Sequence, residues 1–179
     1  MIRIPLPFHE AFGEKQSLLE IVLVLLFGIG GTAAMAVLQP DALSGLSTWR
    51  VVLALVLVFD VLAGCLANFT RGTNDYYSAR PVARWIFIAV HVHLPLIALL
   101  LGTPLTPALI VWGYTIAGAL LVNALRQNAR QVFVAATLLG TGLLMVQFLR
   151  LDTFMTVVAA LFLVKVQYGF AVDHSRTHR

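Results

Sequence analysis

Long apolar runs separated by short polar segments dominate this chain. Six such runs cover about residues 17–38, 50–70, 84–102, 105–124, 131–149 and 153–172. A helix needs roughly 20 predominantly apolar residues to cross about 30 Å of hydrocarbon. The pattern therefore predicts an all-α, polytopic membrane protein, a bundle of six transmembrane helices, with residues 1–179 forming a single membrane domain. Residues 1–16 are amphipathic, which indicates a short segment at the membrane interface.

The composition supports a membrane protein and excludes several other classes. The chain is 60% hydrophobic and 11% charged, whereas a soluble domain carries about 25% charged residues. Its single cysteine, Cys65, excludes an intrachain disulfide and a cysteine-rich metal site. We expect no metal and no cofactor. We also expect no nucleic-acid partner, because the net charge of +4 is better explained by membrane orientation.

The basic residues are distributed unevenly between the two sets of loops. With six alternating spans, nine Lys and Arg residues fall on one side and two on the other. The nine are Arg3, Lys15, Arg71, Arg80, Arg84, Arg126, Arg130, Arg176 and Arg179, and the two are Arg50 and Arg150. Because basic loops stay inside, both termini are expected in the cytoplasm of a bacterial cell, with the chain in its cytoplasmic membrane.

Ionisable residues at mid-membrane depth mark the candidate ligand or proton site. Asp60 and Lys165 lie at similar depths on spans that run in the same direction, and a buried charge left alone is costly. We therefore expect them within salt-bridge reach, either directly or through His91. Small residues beside Asp60, such as Gly64, let a neighbouring helix approach. Asn68 and Tyr168 complete this candidate site.

The third span carries two histidines followed by a proline. The sequence predicts that His91 lies on nearly the same face as Arg84 and that His93 points to the other side. Pro95 lacks the N–H that would bond the carbonyl of His91. The span should therefore bend there and leave a free acceptor beside the imidazole.

Residues 71–83 are interpreted as a polar loop on the inner side of the membrane. The loop contains Arg71, Asn74, Asp75 and Arg80; Arg84 opens the next span, and Asn123 ends span 4 at the same level. Arginine binds phosphate through paired hydrogen bonds. This layer is therefore either an ordinary polar cap or a site for an anionic lipid headgroup.

Three functions remain open, and no catalytic motif decides whether the chain is an enzyme. The first is a small-solute or proton-coupled transporter with a polar site at mid-membrane. The second is a membrane-embedded enzyme that modifies a lipid from a cytoplasm-facing site. The third is a non-catalytic membrane subunit or assembly factor. The expected partners are the lipid bilayer and either an anionic headgroup or a small solute, and the pattern is also compatible with a homo-oligomer.

Overall fold

A computed structural model describes residues 1–174 of the chain, so Arg176 and Arg179 lie outside the described residues. The described part is helical except for two short strands, β1 (Ile2–Arg3) and β2 (Lys15–Gln16), and the turns between elements. The helices are α1 (His9–Phe12), α2 (Leu18–Leu38), α3 (Thr48–Ala67), α4 (Arg71–Ser78), α5 (Pro81–Ala89), α6 (His93–Leu101), α7 (Leu105–Ala124), α8 (Gln131–Phe148) and α9 (Thr153–Leu163). A π-helix, Val164–Phe170, continues α9 without a break.

Six helical segments are long and apolar enough to cross a membrane. They are α2, α3, the combined α5–α6 segment Pro81–Leu101, α7, α8 and the combined segment Thr153–Phe170. These segments suggest an integral membrane protein, and their bounds lie close to the six runs predicted from the sequence. The all-helical, six-span expectation is confirmed to that extent.

The last membrane-capable segment forms the centre of the bundle. Of its most apolar window, 61% is buried inside the protein, against 11% for α2. Phe154, Phe162 and Leu163 are fully buried among α3, α7 and α8. In contrast, α2 packs mainly along α3 and leaves most of its apolar surface facing outward, as expected for a peripheral helix in lipid.

The third span is interrupted between α5 and α6, as the proline predicts. The α5 helix ends at Ala89 and α6 begins at His93, with Pro95 in the first turn of α6. The carbonyl of His91 accepts a hydrogen bond from Trp112 Nε1 at 2.8 Å. The helix is therefore interrupted where the bend was predicted, but the acceptor expected to be free is satisfied by the neighbouring helix α7.

The predicted loop 71–83 is wrong in one respect, because it contains the helix α4. Thr70 caps this helix by accepting from the backbone N–H of Thr73 at 3.5 Å. The segment is polar but amphipathic: Gly72 and Tyr77 are buried, whereas Arg71 and Asp75 are exposed. Its residues are modest helix formers, so capping and packing, more than propensity, explain the helix.

The amphipathic residues 1–16 fold into a small hairpin that packs on α4. Strands β1 and β2 pair in antiparallel register, with Ile2 opposite Gln16. The side chain of Gln16 is completely buried and donates to Thr70 Oγ1 at 2.6 Å. A Cβ added to Gly72 would lie 2.4 Å from the carbonyl oxygen of Lys15, so glycine is required for this close approach.

The termini of the described chain lie at the same end of the bundle. Thr73 Oγ1 on α4 donates to the carbonyl of Ala11 at 3.0 Å. Arg126, just after α7, donates to the carbonyl of Ser78 at 2.7 Å and pairs with Asp173 at 2.8 Å. The N-terminal hairpin, α4 and the end of the last helix therefore form one polar end, as an even number of spans requires.

We predict that Gly72→Ala loosens the N-terminal hairpin from α4. The added methyl group would overlap two backbone carbonyl oxygens, and overpacking of this kind costs about 1–3 kcal/mol. Hydrogen exchange of residues 1–16 should accelerate. Gly113→Ala is the matched control, because nothing lies within 4 Å of its added Cβ. Unchanged exchange in Gly72→Ala would show that the close contact is not required for docking.

Candidate functional site

An ion pair joins α3 to the last helix of the bundle. Lys165 Nζ lies 2.5 Å from Asp60 Oδ2 and 3.1 Å from the backbone carbonyl oxygen of Asp60. The expectation of direct salt-bridge reach is confirmed. The two partners differ in burial: the side chain of Lys165 is 3% exposed, whereas that of Asp60 is 49% exposed at the outer face of the bundle.

Two local features bring the ammonium group to the carboxylate. Gly64 lies one turn after Asp60, and a Cβ added there would be 2.4 Å from Lys165 Cε, so the lysine passes over a glycine. Lys165 also lies within the π-helix, where the N–H of Ala171 bonds the carbonyl of Val166. The carbonyl of Lys165 accepts a hydrogen bond from Asn68 Nδ2 at 3.0 Å. π-Helical segments of this kind are frequent at functional sites.

The third member of the cluster is His93, and the expectation that His93 points away from the site is wrong. His93 Nε2 lies 3.1 Å from Asp60 Oδ2, the same oxygen that contacts Lys165. Because the helix is interrupted before His93, the rotation counted from Arg84 through a continuous helix does not apply. The Nδ1 atom of His93 is buried and has no hydrogen-bond partner among the described residues.

His91 lies next to the cluster without contacting Asp60 directly. Its Nδ1 atom is 2.5 Å from the carbonyl oxygen of Phe87, in the preceding turn. The ring packs against Phe87, with centroids 4.0 Å apart, and against His93, with centroids 5.0 Å apart. The cluster that could serve as a ligand or proton site is therefore Asp60, His93 and Lys165, and His91 packs against His93.

A buried polar layer extends from Lys165 toward the polar end. Asn68 donates to the carbonyl of Lys165, and Asn74 Nδ2 donates to the carbonyl of Asn68 at 2.7 Å. Asn74 Oδ1 in turn accepts from the backbone N–H of His174 at 3.3 Å. These contacts tie α3, α4 and the last helix together. Tyr168 lies at this level, where its ring contacts Phe69 and His174 and does not reach Asp60.

The arginines proposed to hold a headgroup are separated and engaged in other contacts. Arg84 is almost fully buried; it donates to Asn123 Oδ1 at 2.9 Å and to the carbonyl of Phe170 at 2.8 Å. Arg71 pairs with Asp75 at 3.4 Å on the exposed face of α4.

Arg80 belongs to the contact between the hairpin and α4. It contacts Glu14 at 2.8 Å, donates to the carbonyl of Tyr76 and lies over the Tyr76 ring. The hydrogen bond and charge of Arg80 hold the pKa of the Glu14 carboxyl below its usual value. The headgroup candidates therefore stabilise the polar end of the fold and do not converge on Asp60.

Sequence reasoning missed a second buried polar side chain on the π-helix. Gln167 is completely buried, and neither its Oε1 nor its Nε2 atom has a hydrogen-bond partner among the described residues. It packs on Gly118 of α7, where an added Cβ would lie 2.0 Å from Nε2. Its position two residues after Lys165 was the available signal. Among residues 1–174, no group of three or more His, Cys, Asp or Glu side chains could hold a metal ion.

Comparisons with protein-family models, curated proteins and solved structures find no match for this chain. The chemistry of the cluster is therefore interpreted from its own geometry: a carboxylate oxygen between an ammonium and an imidazole, on helices from three parts of the chain.

We predict unequal losses of stability when the two charges are removed one at a time. Asp60→Asn leaves the buried Lys165 ammonium without its counter-charge, which should lower the free energy of unfolding by about 3–5 kcal/mol. Lys165→Met should cost less, because Asp60 keeps the contact with His93, whose ring N–H can donate a hydrogen bond to the carboxylate. Thermal unfolding in detergent measures both variants.

The double variant Asp60→Asn with Lys165→Met supplies the control for this prediction. It should recover part of the loss seen in Asp60→Asn, because no unpaired charge remains. Strictly additive losses in the two singles and the double would mean that the two side chains do not stabilise each other.

Proposed function

We propose that the chain is a proton-coupled transporter of a small solute, with Asp60, His93 and Lys165 as its mid-membrane site. The observation that supports this most directly is that one carboxylate oxygen contacts two other titratable groups, at 2.5 and 3.1 Å. A proton that binds Asp60 at Oδ2 competes with these partners. Binding is thereby coupled to the contact between α3 and the last helix.

Irregular backbone at the cluster supports transport. His93 begins α6 directly after the interruption of span 3, and Lys165 lies in the π-helix. Transporter sites at mid-membrane are commonly formed by discontinuous helices, whose irregular backbone is tolerated where it lies within protein or lines a cavity. Two of the three site residues thus lie where their helices can change conformation most easily.

The coupling follows from charge balance at bilayer depth. With Asp60 ionised and Lys165 protonated, the pair is neutral as a whole, and His93 donates through Nε2–H as an uncharged ring. A proton delivered to Asp60 removes the counter-charge of the buried ammonium. The pair then separates or passes a proton on, because an unpaired buried charge is costly. Separation of the pair would alter the contact between α3 and the last helix, and it would thereby open or close a path for the solute beside α3.

The two alternatives depend on different observations. A lipid-modifying enzyme with a cytoplasm-facing site gains little support, since Arg71, Arg80 and Arg84 contact other parts of the protein. We retain an anionic headgroup at the polar end only as part of a bound lipid, and not as the substrate of a reaction. A non-catalytic subunit, or a homo-oligomer, is favoured by one feature: Asp60 is half exposed at the outer face of the bundle, where a partner helix would cover it.

We further propose that the protein lies in a bacterial cytoplasmic membrane with both termini in the cytoplasm. The polar end formed by the hairpin, α4 and Asp173 would be the inner end. Seven of the nine basic residues assigned to that side lie in the described part of the chain, and Arg50 and Arg150 lie at the other. This bias follows the positive-inside rule.

Cysteine accessibility in intact cells tests the proposed orientation. In a Cys65→Ala background, Ser44→Cys should react with an impermeant thiol reagent from outside, and Ser78→Cys should react only after permeabilisation. Ser44 lies between α2 and α3, and Ser78 ends α4, so the two positions flank opposite ends of α3. Labelling of Ser78→Cys from outside, without labelling of Ser44→Cys, would show that the orientation is the opposite of the one proposed.

Proton movement in proteoliposomes tests the transport proposal. Vesicles that contain a pH-sensitive dye are exposed to inward gradients of small amines, carboxylates, sugars and alcohols. At least one gradient should move protons through the wild-type protein, and Asp60→Asn should reduce that rate by about tenfold or more, since titration is lost. Asp41→Asn, which alters an exposed acid in the short 3-10 helix between α2 and α3, is the matched control. Equal rates in Asp60→Asn and wild type would contradict the proposal.

A further inference from the structure

An apolar groove runs along the outer face of the bundle between α3 and α6. It has a volume of about 600 Å³ and is lined by Trp49, Arg50, Leu53, Val56, Leu57, Leu96, Leu99 and Leu100. Arg50 closes one end, where its guanidinium donates to the carbonyls of Leu99 and Leu100 at the end of α6. Every other lining residue is apolar, so the groove offers a surface for hydrocarbon.

The other end of the groove lies about one helical turn from the polar cluster. Val56 and Leu57 lie about one helical turn before Asp60, and Leu96 lies about one turn after His93. The contact between Asp60 and His93 joins the same two helices that form the groove walls. Along α3, Arg50 and Asp60 are separated by about 15 Å, which is roughly half of the hydrocarbon core. The groove therefore connects one edge of the membrane to its middle.

Asp60 presents one carboxylate oxygen that lacks a partner. Both Lys165 and His93 contact Oδ2, and the described residues provide no hydrogen bond or ion pair to Oδ1. The side chain is half exposed beside the groove, where the surroundings would be lipid. A carboxylate oxygen at that depth is stabilised by a hydrogen-bond donor and strongly disfavoured without one.

The charge of the cluster selects the kind of donor. Lys165 already balances the charge of Asp60, so a second cation would leave a net positive charge in the membrane. An uncharged hydroxyl can donate to Oδ1 without breaking the pair. From these contacts we propose that the solute of the proposed transporter is a lipophilic alcohol, which enters sideways from the bilayer with its hydroxyl on Asp60 and its hydrocarbon in the groove.

A second copy of the chain fits the site less well as an occupant. The exposed hydroxyls of Thr137 and Thr141 on α8 already donate to carbonyls of their own helix, each at 2.9 Å. The groove extends from Val56 and Leu57 to Trp49 as an apolar surface between two helices, and its length suits a single flexible chain.

Tryptophan quenching in nanodiscs that contain the full chain tests this proposal. The probe is ω-bromododecanol, whose bromine should reach Trp49 when its hydroxyl is at Asp60. Quenching should saturate, and the saturable part should be absent in Trp49→Phe. Bromododecane, which lacks the hydroxyl, should bind about tenfold more weakly, as expected for loss of a hydrogen bond to a charged group. Asp60→Asn should reduce that tenfold preference.

Groove variants identify the path of the hydrocarbon. Val56→Phe fills the groove and should weaken binding of ω-bromododecanol by about tenfold, comparable to loss of a buried hydrophobic contact. Val52→Phe is the matched control, because Val52 is exposed on the same helix but does not line the groove. Equal effects of the two substitutions would overturn the proposal.

Other outcomes also overturn it. Quenching that rises linearly with probe and is the same in every variant would mean that ordinary lipid fills the groove. Tighter binding of ω-bromododecylammonium than of the alcohol would exclude an uncharged head. In a Cys65→Ala background, a disulfide between two copies of Leu53→Cys, formed in membranes, would assign the groove to a second copy.

The proton-flux assay separates this inference from the proposed function. Proton-linked flux that is lost in Asp60→Asn, together with alcohol binding that ignores Val56→Phe, would retain the transporter and reject the alcohol. Saturable alcohol binding that depends on Asp60 and Val56, without any proton flux, would retain the binding site and reject proton coupling.

Discussion

The ion pair between Asp60 and Lys165 is the interaction on which the rest of this structure depends. It connects α3 to the most buried helix of the bundle across 105 residues of sequence. A buried ammonium without a counter-charge is strongly destabilising, so the last helix and α3 are held in one relative position. The close approach requires Gly64 on α3, over which the lysine side chain passes. His93 adds a second titratable group to the pair, because it contacts the same carboxylate oxygen.

The backbone around this pair is irregular, and side chains from other parts of the chain donate to carbonyls in the irregular segments. Asn68 donates to the carbonyl of Lys165, Trp112 to that of His91 and Arg84 to that of Phe170. Carbonyls without partners are costly inside a membrane. These three side chains therefore tie the broken span and the π-helix to neighbouring parts of the bundle. The same irregular segments carry His93 and Lys165, so the hydrogen bonds that hold these segments in the fold also position the site.

The membrane-capable helices and the charge pair could be predicted from sequence, because each follows from a single energetic requirement of the membrane interior. Apolar length predicts the spans, and the cost of an isolated charge predicts the pairing of Asp60 with Lys165. The role of His93 could not be predicted, since the count of helical rotation assumed a continuous span through residues 90–92. Helix α4 was missed for a related reason: its packing against the hairpin outweighs the modest propensity of Arg71–Ser78, and that contact joins distant segments.

The distance between Asp60 Cγ and Lys165 Nζ, measured by dipolar solid-state NMR in lipid bilayers, tests the central claim most directly. The chain contains two lysines, Lys15 and Lys165, so Lys15→Arg leaves one labelled ammonium. The substitution lies on the exposed hairpin, far along the chain from the cluster. The ion pair predicts a coupling that corresponds to about 4 Å or less, lost in Asp60→Asn. An absent coupling in Lys15→Arg, with the protein folded, would contradict the pair and the site built on it.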